Sequence, residues 1–197
     1  MPRVVDHEER RRQIATAVSD IAATRGLSDV SFREVAARAG VSVSLVQHYF
    51  GDKANLLRAT LEIQSNTMSA HITERLAGVG ADADPIDVLR IVARAFLPID
   101  EVSRRSMLVY HGFAAAALTD PTLRASEMFT NGRGLIGFFA TQLALIRTDD
   151  ARRDLATADA TGLLSLLLGL SIAVLLEQTT ADEAIAVLEA HLDRLTN

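Results

Sequence analysis

Residues 31–53, SFREVAARAGVSVSLVQHYFGDK, constrain the chain more than any other stretch, because they read as two short helices joined by a tight turn. Ser31 is placed to accept from the backbone N–H of Glu34, and the Glu34 carboxylate from the N–H of Ser31. That reciprocal arrangement satisfies two donors that a helix start leaves open. Val35, Ala36 and Ala39 then recur at helical spacing and face a core. Gly40 stops the helix, since it takes the positive φ that a Cβ resists, and Val41 plugs the angle between the two helices. Ser42 caps a second helix over 43–50, in which Val46, Tyr49 and Phe50 alternate with Ser44, Leu45, Gln47 and His48. Such a helix must be propped by neighbours, because isolated helices below about 12–15 residues are marginal in water. A short, propped helix with small polar residues at its start suits a DNA major groove, where those first residues come nearest the base edges. Any helical hairpin with a glycine turn shares the pattern, so the context decides.

The rest of the chain also reads as helix. Residues 7–25 carry an apolar stripe of Ile14, Ala17, Val18 and Ile21, with Asp6 and Glu9 as a capping box and Gly26 as the stop. Arg10-Arg11-Arg12 is a solvated helix start or a reach toward flanking phosphates. A long helix runs from Ala54 to about Leu76, leaving the head as the only covalent bridge to the second domain. After a loop over 78–84, Asp84-Pro85 opens a helix to about Leu97, where Pro98 breaks it. Another spans about 101–118. Asp120-Pro121 opens one to about Arg147, weakened by Gly132, Gly134 and Gly137. The last pair covers about 151–178 and 181–195, the latter entered through a Thr180/Glu183 capping box. No strand-period segment or internal repeat occurs, so the predicted fold is all-α: a three-helix helix-turn-helix head, residues 1–53, and a roughly six-helix second domain, residues 54–197.

Composition excludes several classes. The chain has 197 residues, of which 49% are hydrophobic, enough for a sizeable core. It has no cysteine, which removes disulfides and thiolate metal sites and suits a reducing cytoplasm. The start, MPRVVDHEERRR, lacks the apolar core of a signal peptide. The longest apolar run, 162–176, falls short of the roughly 18–20 residues that a membrane helix needs, so no membrane partner is expected. Net charge is −5, with 9 Lys/Arg against 7 Asp/Glu through Thr60 and 11 against 18 beyond it. The acid therefore sits away from the head and leaves a basic face to meet phosphates. Nucleophile-elbow, phosphate-loop and H-E-x-x-H patterns are all missing, so no catalytic residue is assigned. His71 and Glu74 stand one helical turn apart without a third ligand, so neither metal nor cofactor is expected.

Residues from about Ile14 to Leu57 resemble the DNA-binding domain of the TetR family of transcriptional regulators. The pattern runs through Ala22, Gly26, Ser31, Arg33, Val35, Ala36, Ala39-Gly40-Val41-Ser42, Val46, Tyr49-Phe50, Lys53 and Leu56-Leu57. The resemblance implies DNA contacts from Ser31, Arg33, Ser42, Ser44, Leu45, Gln47, His48, Tyr49 and Lys53. Lys53 is the only lysine in the chain, at a position where the family contacts a backbone phosphate. Gln47 stands where the family often has an aromatic residue; an amide there can pair bidentately with adenine. The region from Leu97-Pro98-x-Asp100 through Asp120-Pro121 is similar to the C-terminal class known from betaine-synthesis regulators, a class with many ligands.

Two further sites belong to the second domain. Phe96, Met107, Tyr110, His111, Phe113, Met128, Phe129, Phe138 and Phe139 concentrate adaptable side chains in the middle helices, either as core or as an effector pocket. The candidate ligand contacts are Gln64, Met68, Phe96, Met107, Tyr110, His111, Met128 and Phe129. Gly162, Ser165, Gly169 and Ala173 form a small-residue stripe flanked by Leu163, Leu166, Leu167, Leu170 and Leu176, and the final helix adds Ile185, Leu188, Leu192 and Leu195. Either both stripes are buried within one chain or, packed against a second copy, they close a four-helix interface and set two recognition helices about one DNA turn apart, roughly 34–36 Å. The expected protein is a dimeric, cytoplasmic repressor that binds a palindromic double-stranded DNA operator and is released by a small-molecule effector. The alternatives are an effector-independent dimeric DNA-binding protein and an all-helical enzyme using Tyr110 or His111.

Overall fold

Helix starts fall where short polar side chains precede apolar runs. In the computed structural model, which describes residues 7–80, 83–130 and 132–196, Ser31 Oγ accepts from the Glu34 N–H and Ser42 Oγ from the Leu45 N–H, both at 3.2 Å. Asp84 and Asp120 likewise accept from Ile86 and Thr122, each followed by a proline at the first helical position. Thr180 and Glu183 complete both halves of their box: the Glu183 N–H donates to Thr180 Oγ1 at 3.2 Å and the Thr180 N–H to Glu183 Oε2 at 2.8 Å. Asp6, the expected first cap, lies outside the described residues.

Every regular element among the described residues is helical. The head holds α1 (His7–Arg25), α2 (Phe32–Ala39) and α3 (Val43–Phe50), with a single 3-10 turn, Leu27–Asp29, between α1 and α2. Beyond it come α4 (Lys53–Ala77), α5 (Pro85–Arg94), α6 (Glu101–Ala117), α7 (Pro121–Arg124), α8 (Glu127–Thr130) and α9 (Gly132–Ile146). The chain closes with α10 (Asp150–Asp154), α11 (Ala156–Leu175) and α12 (Ala181–Thr196). Where one helix is expected from Asp120 to Arg147, α7 stops at Arg124 and α8 begins at Glu127, while Gly134 and Gly137, expected to weaken the helix, lie inside an unbroken α9. The helix expected over 151–178 also divides, because Asp149 caps a short helix of its own by accepting from the Ala151 N–H at 3.1 Å.

By contact the chain forms two compact units: residues up to Thr67 with Leu108–Thr130, and Met68–Met107 with the chain beyond Thr130. Thus α4 and α6 contribute to both. The first unit buries Ile14, Val18, Ile21, Val35, Val46, Phe50, Leu56, Leu61, Val109 and Phe113 in one core. The second buries Leu89, Val92, Phe139, Leu143, Leu163, Leu167, Leu188 and Leu192 in another. Full burial of each such side chain stabilises by roughly 1.5–3 kcal/mol before the opposing chain entropy.

Polar ties lock the second unit. Arg147, 6% exposed at the end of α9, donates from Nε and Nη2 to the Leu195 carbonyl at 3.1 and 3.0 Å and from Nη1 to the Arg152 carbonyl at 2.7 Å. Its Nη2 also pairs with Asp159. Arg90 and Arg94 of α5 grip Glu189 of α12, each at 2.8 Å. Burial resists ionisation of Glu189, but the hydrogen bonds and charge of the two arginines outweigh it and hold the carboxyl below its usual range.

By length and composition α11, 20 residues with mean hydropathy 1.9 in its most apolar window, is sufficient to cross a membrane, longer than the run read from sequence. A single helix of this kind also describes a globular core, and Leu163, Leu167 and Val174 are buried in the second unit. It ends in a left-handed turn at Glu177, φ 58°, with Gln178 N–H on the Ala173 carbonyl at 2.9 Å and Glu177 N–H on Val174 at 3.1 Å.

Candidate nucleic-acid interface

The turn between α2 and α3 depends on Gly40, whose φ of 66° a side chain would strain, and on Val41, whose N–H returns to the Ala36 carbonyl at 3.0 Å. Val41 packs into the first core as expected. Val46 and Phe50 bury the inner face of α3. Ser42, Ser44, Gln47 and His48 are exposed on the other, with Leu45 and Tyr49 half-buried at its margin. The Ser42 and Ser44 hydroxyls also meet at 3.0 Å.

The props come from α1. Gln13 Nε2 donates to the Ala39 carbonyl at 2.8 Å at the end of α2. Arg11 donates to the Tyr49 carbonyl at 3.3 Å, and its guanidinium lies 5.0 Å over the Phe50 ring. His7 Nδ1 is 2.9 Å from the Tyr49 hydroxyl. Arg25 pairs with Glu34 at 2.6 Å, so that carboxylate is committed to α1, and Arg38 pairs with Asp20 at 2.9 Å. The basic run of α1 is therefore divided in its duties: Arg10 binds Gln13 at 2.6 Å and Arg11 faces inward. Sequence reasoning missed these contacts, which join residues far apart in the chain.

Lys53 opens α4 just past Asp52, which caps that helix by accepting from the Asn55 N–H at 2.8 Å. Lys53, Arg33 and Ser31 are exposed, and neither basic side chain has an ion pair among the described residues. The head thus offers hydroxyls, an amide and an imidazole on α3, flanked by two uncommitted cations.

The candidate ligand contacts fall into both units. Gln64, Tyr110, His111, Met128 and Phe129 belong to the first, Met68, Phe96 and Met107 to the second. Gln64 donates to the buried Ser19 hydroxyl at 2.5 Å, so part of its amide serves the core. The Tyr110 ring lies 5.3 Å from His111 and 5.9 Å from Phe129. Burial pushes the Tyr110 phenol up and the His111 imidazole down, both toward the neutral form. Phe96 packs on the second core, and Met107, 2% exposed, is buried.

On α11, Gly162, Ser165 and Gly169 are exposed, while Leu166, Ala173 and Ile185 of α12 are half-buried. Ile172 (42%), Leu176 (62%) and Val187 (42%) extend this apolar face. Leu188 and Leu192 do not join it: both are 0% exposed, turned by the phase of α12 into their own unit's core, so they leave no side-chain surface for a second copy. That corrects the sequence expectation for these two residues, and the same full burial corrects it for Leu163 and Leu167 on α11.

Comparison with known proteins bears on both halves of the chain. Residues 15–60 match the profile of bacterial regulatory proteins of the tetR family, and residues 85–197 that of the C-terminal domain of BetI-type transcriptional repressors. The HTH-type transcriptional regulator BetI of Pseudomonas paraeruginosa is 31% identical over 98% of this chain and 96% of its own. A transcriptional regulator from Rhodococcus sp. Rha1 superposes with a TM-score of 0.82 at 27% identity, over 94% of this chain and 95% of that one. Another, from Saccharomonospora viridis in complex with choline, gives 0.79 at 21% identity over 94% and 96% of the two chains. An α3 held by its inner face, the glycine turn before it and both profiles agree: the chain belongs to the TetR family of transcriptional regulators, with a C-terminal domain of the BetI type.

Proposed function

We propose that the protein is a homodimeric repressor of the cytoplasm, holding a palindromic operator through residues 1–53 and releasing it when a small molecule binds residues 54–197 or their contacts. The observation that carries this reading is α3: Val46 and Phe50 are locked in the core while Ser42, Ser44, Gln47 and His48 meet solvent. In this reading Gln47 pairs with adenine, Ser44, Leu45 and His48 line the same groove, and Ser31, Arg33, Ser42, Tyr49 and Lys53 hold phosphates.

Gly162, Ser165, Leu166, Gly169 and Ala173, joined by Ile172, Leu176, Ile185 and Val187, form the face between copies. A Cβ added at Gly162 or Gly169 meets nothing within 4 Å in the protomer. Glycine inside a helix costs about 1 kcal/mol relative to alanine, so the protomer alone gives no reason for either. Close approach by a second copy supplies one.

For the effector, Tyr110 and Phe129 offer aromatic faces that suit an organic cation, and choline, seen in the Saccharomonospora relative, is the first probe. It acts only by preferring the conformation that does not bind DNA, with α4, shared by both units, carrying the change. The test is selection of duplexes from a random pool by the full-length protein, repeated with choline and related quaternary amines. An enriched inverted repeat whose binding falls with ligand is expected. Failure to enrich any sequence over random competitor sinks the proposal; enrichment without any ligand response favours the effector-independent alternative.

A further inference from the structure

Within the first unit a side-chain hydrogen bond joins the opening turn of α1 to the end of α3, the 2.9 Å contact between His7 Nδ1 and the Tyr49 hydroxyl. The two rings lie 5.8 Å apart, and the His48 ring packs edge-on against Tyr49 at 5.7 Å. One turn further along α1, Arg11 holds the Tyr49 carbonyl at 3.3 Å. The phenol is thus fixed in place, and the ring nitrogen decides which way its proton points.

We propose that His7 is a positioning residue for DNA binding: it sets whether the Tyr49 hydroxyl offers a proton or lone pairs to a phosphate. The inference rests on the reading of Tyr49 as a phosphate contact. A phenol has one proton to donate. With Nδ1 unprotonated, that proton goes to the ring, and Tyr49 turns only lone pairs outward, which a phosphate oxygen repels. With a hydrogen on Nδ1, the ring donates to the Tyr49 oxygen and the phenolic proton is free for the phosphate. A neutral ring reaches this state by changing tautomer, whereas the imidazolium is held in it. A hydrogen on Nδ1 therefore tightens DNA binding through the Tyr49 hydroxyl. By reciprocity, binding DNA favours a hydrogen on Nδ1. The charged and titratable groups in contact with this pair are His48 on α3, edge-on against Tyr49, and Arg11 on α1, at the Tyr49 carbonyl. Since His48 is a second imidazole on the same face, the pH profile is compared only between variants that all keep it.

The probe is a labelled duplex that the full-length protein enriches from a random pool, with affinity read by fluorescence anisotropy at about pH 6 and about pH 8, either side of the usual imidazole range. His7→Ala should weaken binding roughly threefold to tenfold at the lower pH, the worth of one hydrogen bond, and flatten the pH dependence. His7→Asn, whose amide reaches Tyr49 from the position of Nδ1 but does not titrate, should recover affinity at the higher pH and keep the flat profile. In Tyr49→Phe the His7→Ala change should have no further effect, so the double variant binds like Tyr49→Phe alone. His7 is exposed, and a thermal melt of each variant confirms that it stays folded. A wild-type pH profile in His7→Ala, or an undiminished His7 effect on the Tyr49→Phe background, overturns the inference while leaving the Tyr49 contact standing. Unchanged affinity in Tyr49→Phe overturns the phosphate reading itself, and the inference with it.

Discussion

The two units secure their helix ends differently. In the first, α2 and α3 are tied by Arg25 to Glu34, Arg38 to Asp20 and Arg11 to the Tyr49 carbonyl, contacts that largely remain open to water. In the second, Arg147 is buried and every arm of its guanidinium is bonded. The same contrast appears in two matching S/T-x-x-E starts. At α12 the Glu183 carboxylate turns back to the Thr180 N–H, whereas at α2 Glu34 leaves its own helix for Arg25. Exposed ties are individually weak and screened by salt; a buried, fully bonded arginine stands or falls as a unit. The head is thus held by several adjustable contacts, as suits a surface that must settle onto DNA, and the second unit by a few rigid ones.

The largest expected effect would break this contrast if it failed. Arg147→Ala strands Asp159 and two carbonyls, and should destabilise the protein by about 3–5 kcal/mol in urea unfolding. A loss below about 1 kcal/mol would place the Arg147 tie in the same class as the exposed ones. Next come the caps: Ser31→Ala and Thr180→Ala should each cost about 1 kcal/mol, with Thr180 the larger because its Oγ1 both accepts from the Glu183 N–H and donates to the Glu183 carboxylate. Equal losses would show that the diverted Glu34 makes no difference. Glu177→Gly relieves the left-handed backbone after α11 and should raise stability by roughly 0.5–1 kcal/mol by the same measurement. The smallest effect is in the acid limb. The Thr180 N–H, then the Thr180 and Thr179 hydroxyls, hold the Glu183 carboxyl below its ordinary value. Its contribution is therefore present above the unfolded carboxylate range and lost as pH falls through the folded value. Glu183→Gln should remove that part of the melting-temperature profile below neutrality; identical profiles for the two proteins would reject it.

Local chemistry makes most helix starts legible in the sequence. Ser31, Ser42, Asp84, Asp120 and Thr180 all cap where their side chains predict, and α1 and α3 match their expected limits. The exposed face of α3 follows from the alternation around Val46 and Phe50. Periodicity shows that a helix has an apolar stripe but not which neighbour covers it, so it groups Leu188 and Leu192 with a face they do not share. Gln64 and Met107 show the same limit: a side chain that suits a ligand also suits a core, and periodicity does not show that Gln64 reaches Ser19 or that Met107 is buried. The ties from His7, Arg11 and Gln13 are invisible to local patterns because they span 42, 38 and 26 residues.

Ile172, Leu176 and Val187 remain uncovered within a single protomer. Under the proposed pairing, that oily flank makes durability depend on abundance: scarce copies part and unfold more readily, plentiful ones protect one another. Expression level then tunes more than operator occupancy, since it also sets how long each molecule lasts.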